Sequence, residues 1–251
     1  MTDNEHQNKV AFITGGGRGF GKAFGAALAA QGAHVVLADI DGDVAAAAAA
    51  ELTAGGGSAV GVVCDVADDA RVGAVIDEVA QRHGGLDILV NNAGLHAVYN
   101  RPFAELGLAA TRRLFDVNVM GVIICTLAAK KAMSGRAGAS IVNISSSAAY
   151  GNRAAYGVSK LAVRGLTVEF AHELAADGIR VNAIAPGLIF TDTIRAELAP
   201  SEAARVKGQQ ILEREGEERD IVEALLYLIS SRASFVTGET LRVSGGFALS
   251  V

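Results

Sequence analysis

The chain is 251 residues long, 51% hydrophobic and 20% charged, with a formal net charge of −5 at pH 7. Lys and Arg residues scattered over an acidic background leave no basic footprint for a phosphate backbone, which argues against a nucleic-acid partner. No uncharged apolar run reaches the roughly 18–20 residues of a membrane span, and the polar opening does not read as a secretory signal, so no membrane association and a cytoplasmic protein are expected.

After a tail at residues 1–8, expected to be flexible, residues 9–14 read as a short buried strand ended by glycines, and 21–31 as the helix that follows. Strand-like runs recur at 34–39, 59–64, 86–90, 140–145, 179–184 and 240–243, with segments of helical length between them. The alternation predicts an α/β fold: a seven-stranded parallel sheet with helices on both faces, built as one domain over 9–251. Apolar runs such as Ile88, Leu89 and Val90 fit burial on both faces. The alanine run at 45–50 reads as a strong surface helix. The segment 192–218, polar and helix-prone, lacks strand signals and is expected to cover the site. Cys64 and Cys125 lie far apart in apolar surroundings, with no CxxC pair and no His/Cys cluster, which reads as two buried thiols and no metal site.

The turn from Thr14 through Gly15, Gly16, Gly17, Arg18, Gly19, Phe20 and Gly21 lies between the first strand and the first helix. There a dinucleotide-binding, Rossmann-type doubly wound fold needs glycines, because the backbone must turn sharply and approach a pyrophosphate at the helix N-terminus. Asp39, followed by Ile40, ends the second strand, where a carboxylate accepts hydrogen bonds from ribose hydroxyls and repels a 2′-phosphate. Tyr156 and Lys160 stand four residues apart on a helical segment, so they share a face. A nearby ammonium favours the phenolate, and this spacing predicts a lowered tyrosine pKa and a general acid/base working near neutrality.

The glycines follow the pattern TGxxxGxG, and from residue 9 to the C-terminus the chain resembles the short-chain dehydrogenase/reductase family. The resemblance rests on that turn and on Asp65-Val66, Asn91-Asn92-Ala93-Gly94, Asn118, Tyr156-Gly157-Val158-Ser159-Lys160, Asn182, Pro186-Gly187 and Ser244-Gly245-Gly246. It implies an oxidoreductase that moves a hydride between a nicotinamide cofactor and a small secondary alcohol or ketone. By the same resemblance, Asp65 accepts from the adenine amino group, the backbone at Val66 contacts the ring, and Asn92, Ala93 and Gly94 pass under the cofactor, with Asn91 tied to structure and cofactor. Lys160 also holds the nicotinamide ribose, Asn118 completes a proton relay, and Pro186, Gly187, Ile189 and Thr191 contact the carboxamide.

The family's catalytic serine falls at the end of the fifth strand. Register favours Ser146, but Tyr156 follows it by ten positions, roughly three fewer than usual in the family, so Ser145 and Ser147 stay open. Asp39 favours NAD; Arg18 pulls the other way, since NADP users of the family often carry a basic residue there, and an NADP(H)-dependent carbonyl reductase remains the alternative. Reduction of a carbon–carbon double bond and a non-catalytic NAD-binding sensor are the further readings. A homo-oligomer, tetramer or dimer, is implied through helices at 111–133 and 154–177. His96, Tyr99 and Tyr150 flank the expected pocket and read as packing groups without an assigned role.

Overall fold

The computed structural model describes residues 5–151, 154–191 and 200–247. Seven strands, β1 (Val10–Thr14), β2 (His34–Asp39), β3 (Ser58–Val63), β4 (Ile88–Asn91), β5 (Ser140–Ile144), β6 (Arg180–Pro186) and β7 (Thr240–Val243), form one parallel sheet in the order β3-β2-β1-β4-β5-β6-β7. The order reverses between β1 and β4, and in such sheets the crevice outside the carboxyl ends of the strands at the switch point is the ligand site.

Side chains alternate across the sheet with period two, so β1 feeds both cores. Val10 and Phe12 join one cluster with α3 (Asp69–His83), α6 (Gly121–Met133) and α7 (Ala155–Glu173). Ala11 and Ile13 join the other with α1 (Gly19–Ala30), α2 (Gly42–Ala54) and α9 (Glu218–Ile229). Cys64 and Cys125 are both free and buried, in the first cluster.

The alanine run is a surface helix with one face sunk into the fold: Ala46, Ala47 and Ala50 are exposed. Ala45, Ala48 and Ala49 of α2 are buried, and a Cβ added at Gly61 of β3 would lie 2.4 Å from the Ala45 carbonyl carbon. Helix α2 rests directly on the strand, and only small residues permit that approach.

Between α4 (Phe103–Leu106) with α5 (Leu108–Phe115) and α6, residues Asp116–Met120 form a π-turn, a one-turn bulge of the kind often found at functional sites. Of the expected covering segment, 192–199 lie outside the described residues; α8 (Pro200–Lys207) follows, and then irregular chain fastened to the C-terminal turn, where Ile211 and Leu212 both donate backbone N–H to the Gly245 carbonyl. Residues 5–8 lie against the body. The Glu5 carboxylate accepts from the Ser231 N–H and hydroxyl at 2.9 Å each, and His6 is buried.

Candidate active site

The glycine turn is joined to the end of β4. Thr14 Oγ1 accepts the N–H groups of Asn92 and Ala93 at 3.0 Å each, and Asn92 Nδ2 donates to the carbonyls of Thr14 and Gly15 at 2.9 and 3.0 Å. Gly15 has φ +61°, and a Cβ there would meet the Ala93 Cα at 2.9 Å. Gly21, directly after the half-buried Phe20, lies tight against the Gly15 carbonyl. At the start of α1, Arg18 is exposed and supplies no side-chain cap, the first turn holds no acid, and Gly19 (φ +50°) has open space where a Cβ would point. Uncapped N–H groups at the positive end of a helix beside open space suit a phosphate.

Asp39 is buried at the end of β2. One carboxylate oxygen accepts from the Gly17 N–H and the other from the Asp41 N–H, each at 3.1 Å, while Ile40 beside it is exposed. Asp65 pairs with Arg113 at 3.2 Å and also accepts the Ala67 N–H; Val66 is buried against Gly121. The glycine turn, Asp39 and Asp65 follow the carboxyl ends of β1, β2 and β3, an arrangement that fits a dinucleotide.

The second half of the site hangs on α7. Ser146 lies near enough to the Tyr156 phenol to draw its pKa down, whereas Ser145 Oγ donates to the Lys160 carbonyl at 2.9 Å and Ser147 is buried. The three serines that spacing left open thus have different surroundings. Burial raises the Tyr156 phenol above its ordinary value, and Ser146 pulls it partly back.

The expected lowering by Lys160 is not found. Its ammonium sits 5.9 Å from the centre of the Tyr156 ring and donates to the Ile144 carbonyl at 2.7 Å, and its own pKa is pulled down by burial to about 8. Four-residue spacing brought the two side chains together, but burial outweighs what the ammonium contributes, and the phenol's pKa stays above its ordinary value.

Asn118 lies in the π-turn. Its Oδ1 accepts the Leu95 N–H at 2.8 Å, and its Nδ2 donates to the Leu95 carbonyl and to Ser159 Oγ at 3.0 Å each. A Cβ at Gly94 would lie 3.3 Å from Lys160 Nζ and 3.4 Å from Asn118 Oδ1, so these three positions adjoin. Beyond β6, the Gly187 N–H donates to the Val243 carbonyl, and a Cβ at Gly187 would meet the Ser244 Cα at 2.7 Å; Ile189 is buried and the Thr191 N–H donates to the Ile189 carbonyl. Pro186, Gly187, Ile189 and Thr191 therefore follow the strand end as one segment against the Ser244 turn.

Sequence reasoning passed over Thr14, Ser159 and Arg113. The first two stood inside quoted motifs, Thr14 directly before the glycines and Ser159 beside Lys160. Arg113 carried no local signal, because its partner Asp65 is distant in sequence. Among the described residues no group of three His, Cys, Asp or Glu side chains could hold a metal, and no helix is long and apolar enough to cross a membrane.

A family model described as enoyl-(acyl carrier protein) reductase matches residues 15–248. An uncharacterized oxidoreductase of Mycobacterium tuberculosis is 42% identical over 244 residues, 95% of this chain and 97% of that protein. The 7α-hydroxysteroid dehydrogenase of Escherichia coli is 36% identical over 241 residues, 95% of this chain and 93% of that protein. A solved 7α-hydroxysteroid dehydrogenase complexed with NADH and 7-oxo glycochenodeoxycholic acid gives a TM-score of 0.92 at 34% identity, covering 100% of this chain and 98% of its own. A blue fluorescent protein from a metagenomic library, solved in complex with NADPH, gives 0.88 at 35% identity, covering 98% of this chain and 100% of its own.

Proposed function

This chain belongs to the short-chain dehydrogenase/reductase family and is an oxidoreductase acting between a secondary alcohol and its ketone, and on that premise we propose that NAD(H) is its cofactor and Tyr156 its general acid/base. The observation that carries the reading is the buried Lys160 ammonium 5.9 Å from the centre of the Tyr156 ring, with Ser146 near enough to the phenol to draw its pKa down.

NAD(H), when bound, supplies or takes the hydride. Tyr156 gives its phenolic proton to the carbonyl oxygen in reduction and takes it back in oxidation. Ser146 donates to the same oxygen and steadies its developing charge. Lys160 holds the nicotinamide ribose, and Asn118 fixes the Leu95 backbone beside Gly94, so that the floor near Lys160 keeps its shape. Gly15, Gly17, Arg18, Gly19, Phe20 and Gly21 cradle the pyrophosphate; Asp39 and Ile40 take the ribose; Asp65 and Val66 take the adenine. Asn92, Ala93 and Gly94 pass beneath, and Pro186, Gly187, Ile189 and Thr191 hold the carboxamide.

Asp39 supports NAD over NADP. A phosphate about 4 Å from a carboxylate is disfavoured by roughly 4 kcal/mol at an effective dielectric near 20, and the exposed Arg18 offsets only part of that. The substrate side takes a small-molecule alcohol or ketone. The molecule is one domain over 9–251, cytoplasmic, and a homo-oligomer built on the exposed apolar sides of α6 and α7. The description of the matching family model favours a second reading, reduction of a carbon–carbon double bond next to a thioester carbonyl.

The test is nicotinamide absorbance with NAD(H) and NADP(H) against secondary alcohols, ketones and an enoyl thioester. Ketone turnover with NADH, reduced about 10²- to 10⁴-fold in Tyr156→Phe, is expected. Preference for NADPH overturns the cofactor assignment, turnover only of the enoyl compound overturns the alcohol reading, and an unimpaired Tyr156→Phe overturns the mechanism.

A further inference from the structure

Tyr150 closes a short 3₁₀ turn, Ser147–Tyr150, whose first hydrogen bonds come from Ser146: its hydroxyl accepts the Ala148 N–H at 3.1 Å and its carbonyl accepts the Ala149 N–H at 3.0 Å. Ser146 and Tyr150 are thus the two ends of one hydrogen-bonded unit. Two guanidiniums close on the Tyr150 ring, Arg164 with its Cζ 3.9 Å from the ring centre and Arg242 at 4.7 Å. Arg242 belongs to β7. Arg164 belongs to α7, four residues after Lys160 and eight after Tyr156, hence on their face of the helix. Its Nε is buried without a hydrogen-bond partner, which leaves the ring as the contact that holds this part of the guanidinium.

These contacts make a closed circuit. Helix α7 carries Tyr156 and Arg164; Arg164 grips Tyr150; Tyr150 ends the turn that begins at Ser146; and Ser146 lies near enough to the Tyr156 phenol to draw its pKa down. The connection from Ser146 to Tyr156 is short, so the serine has little chain through which to find its place by itself, and an external grip on the turn fixes it. We propose that Tyr150, clamped by Arg164 and Arg242, is a positioning residue that sets the Ser146 hydroxyl against Tyr156. The inference rests on the roles given to Ser146 and Tyr156 above. The contact needs an aromatic face and makes no use of the Tyr150 hydroxyl, so phenylalanine serves and leucine does not.

The experiment compares wild type with Tyr150→Leu, Tyr150→Phe and Ser146→Ala, all as the full chain. Ionisation of Tyr156 is followed by ultraviolet difference titration, with the Tyr156→Phe curve subtracted. Turnover is expressed per NADH-binding site counted by fluorescence. Because Ser146 lowers the phenol's pKa, Tyr150→Leu is expected to ionise Tyr156 at higher pH, as Ser146→Ala does. Its kcat falls by between about tenfold and a hundredfold while the KM for NADH is unchanged, and Tyr150→Phe restores both values. Should Tyr150→Leu fail to fold, Arg164→Met carries the same expectations.

Titration of Tyr150→Leu with the wild type while Ser146→Ala shifts overturns the clamp, as does failure of phenylalanine to rescue. A wild type that turns over neither alcohol nor ketone overturns the functional reading alone, since the titration still decides whether Tyr150 places Ser146.

Discussion

Lys160 is an ammonium held where little water reaches it, 5% exposed, with a backbone carbonyl as its hydrogen-bond acceptor. Its folded pKa of about 8 lies below the ordinary 10.5, so between those values the unfolded chain binds more protons than the folded one. Stability then rises with pH from about 8 to about 10.5, and below 8 the whole cost of burial is present, about 3 kcal/mol at 1.36 kcal/mol per unit. Lys160→Met is therefore expected to melt a few degrees above wild type at pH 7, with the gap shrinking toward pH 10 and turnover lost. Equal melting at pH 7 would sink the idea. On the role proposed for it, the residue serves a ligand at the expense of the fold around it. Sequence spacing located Lys160 and Tyr156 but misjudged their electrostatics, because a spacing of four fixes a shared helix face and says nothing of where the ammonium points. The same limit left Ser145, Ser146 and Ser147 open: a strand end is known only to a residue or so, and which side-chain partner each serine meets is a matter of tertiary contacts.

At the scale of elements, α2 and β3 show packing overriding local preference. Valine is a better strand residue than glycine, yet at Gly61 it would drive into the Ala45 backbone. Gly61→Val is expected to cost about 1–3 kcal/mol in urea unfolding, where propensity alone predicts a gain. An unchanged midpoint would mean that α2 moves away freely. The alanine run hid this contact, since a helix of one residue type has no apolar stripe from which to read its buried side. Strands β2 and β7 were legible to their ends. Strand β3 begins one residue earlier than its apolar run because, at the sheet edge, its exposure alternates and its limits are set by pairing with β2. The π-turn at Asn118 gave no signal, because it shifts hydrogen bonds without changing helical composition. Nor did Glu5, whose partner Ser231 lies at the other end of the chain.

For the whole molecule, the outer side of α7 carries Val158, Leu161 and Val168, all exposed, at the three- and seven-residue steps of a helical stripe, and Leu127 is exposed on α6. Such a stripe on a surface helix marks a contact. Leu161→Lys with Val168→Lys is expected to convert the proposed oligomer to monomers in sedimentation velocity; an unchanged sedimentation coefficient would place the assembly elsewhere.

The junction of β1 with β4 bears on how the chain acquires its competence. Every ladder in the sheet is parallel, so no strand pair can form as a local hairpin, and Ala11 must wait for Ile88. A growing polypeptide can assemble β1, β2 and β3 and already own the glycine turn and Asp39. It has no partners for the Thr14 hydroxyl until Asn92 and Ala93 arrive with β4. The cradle is therefore closed only when one threonine reaches across the seam, and a nascent chain that ends before Asn92 carries half of it.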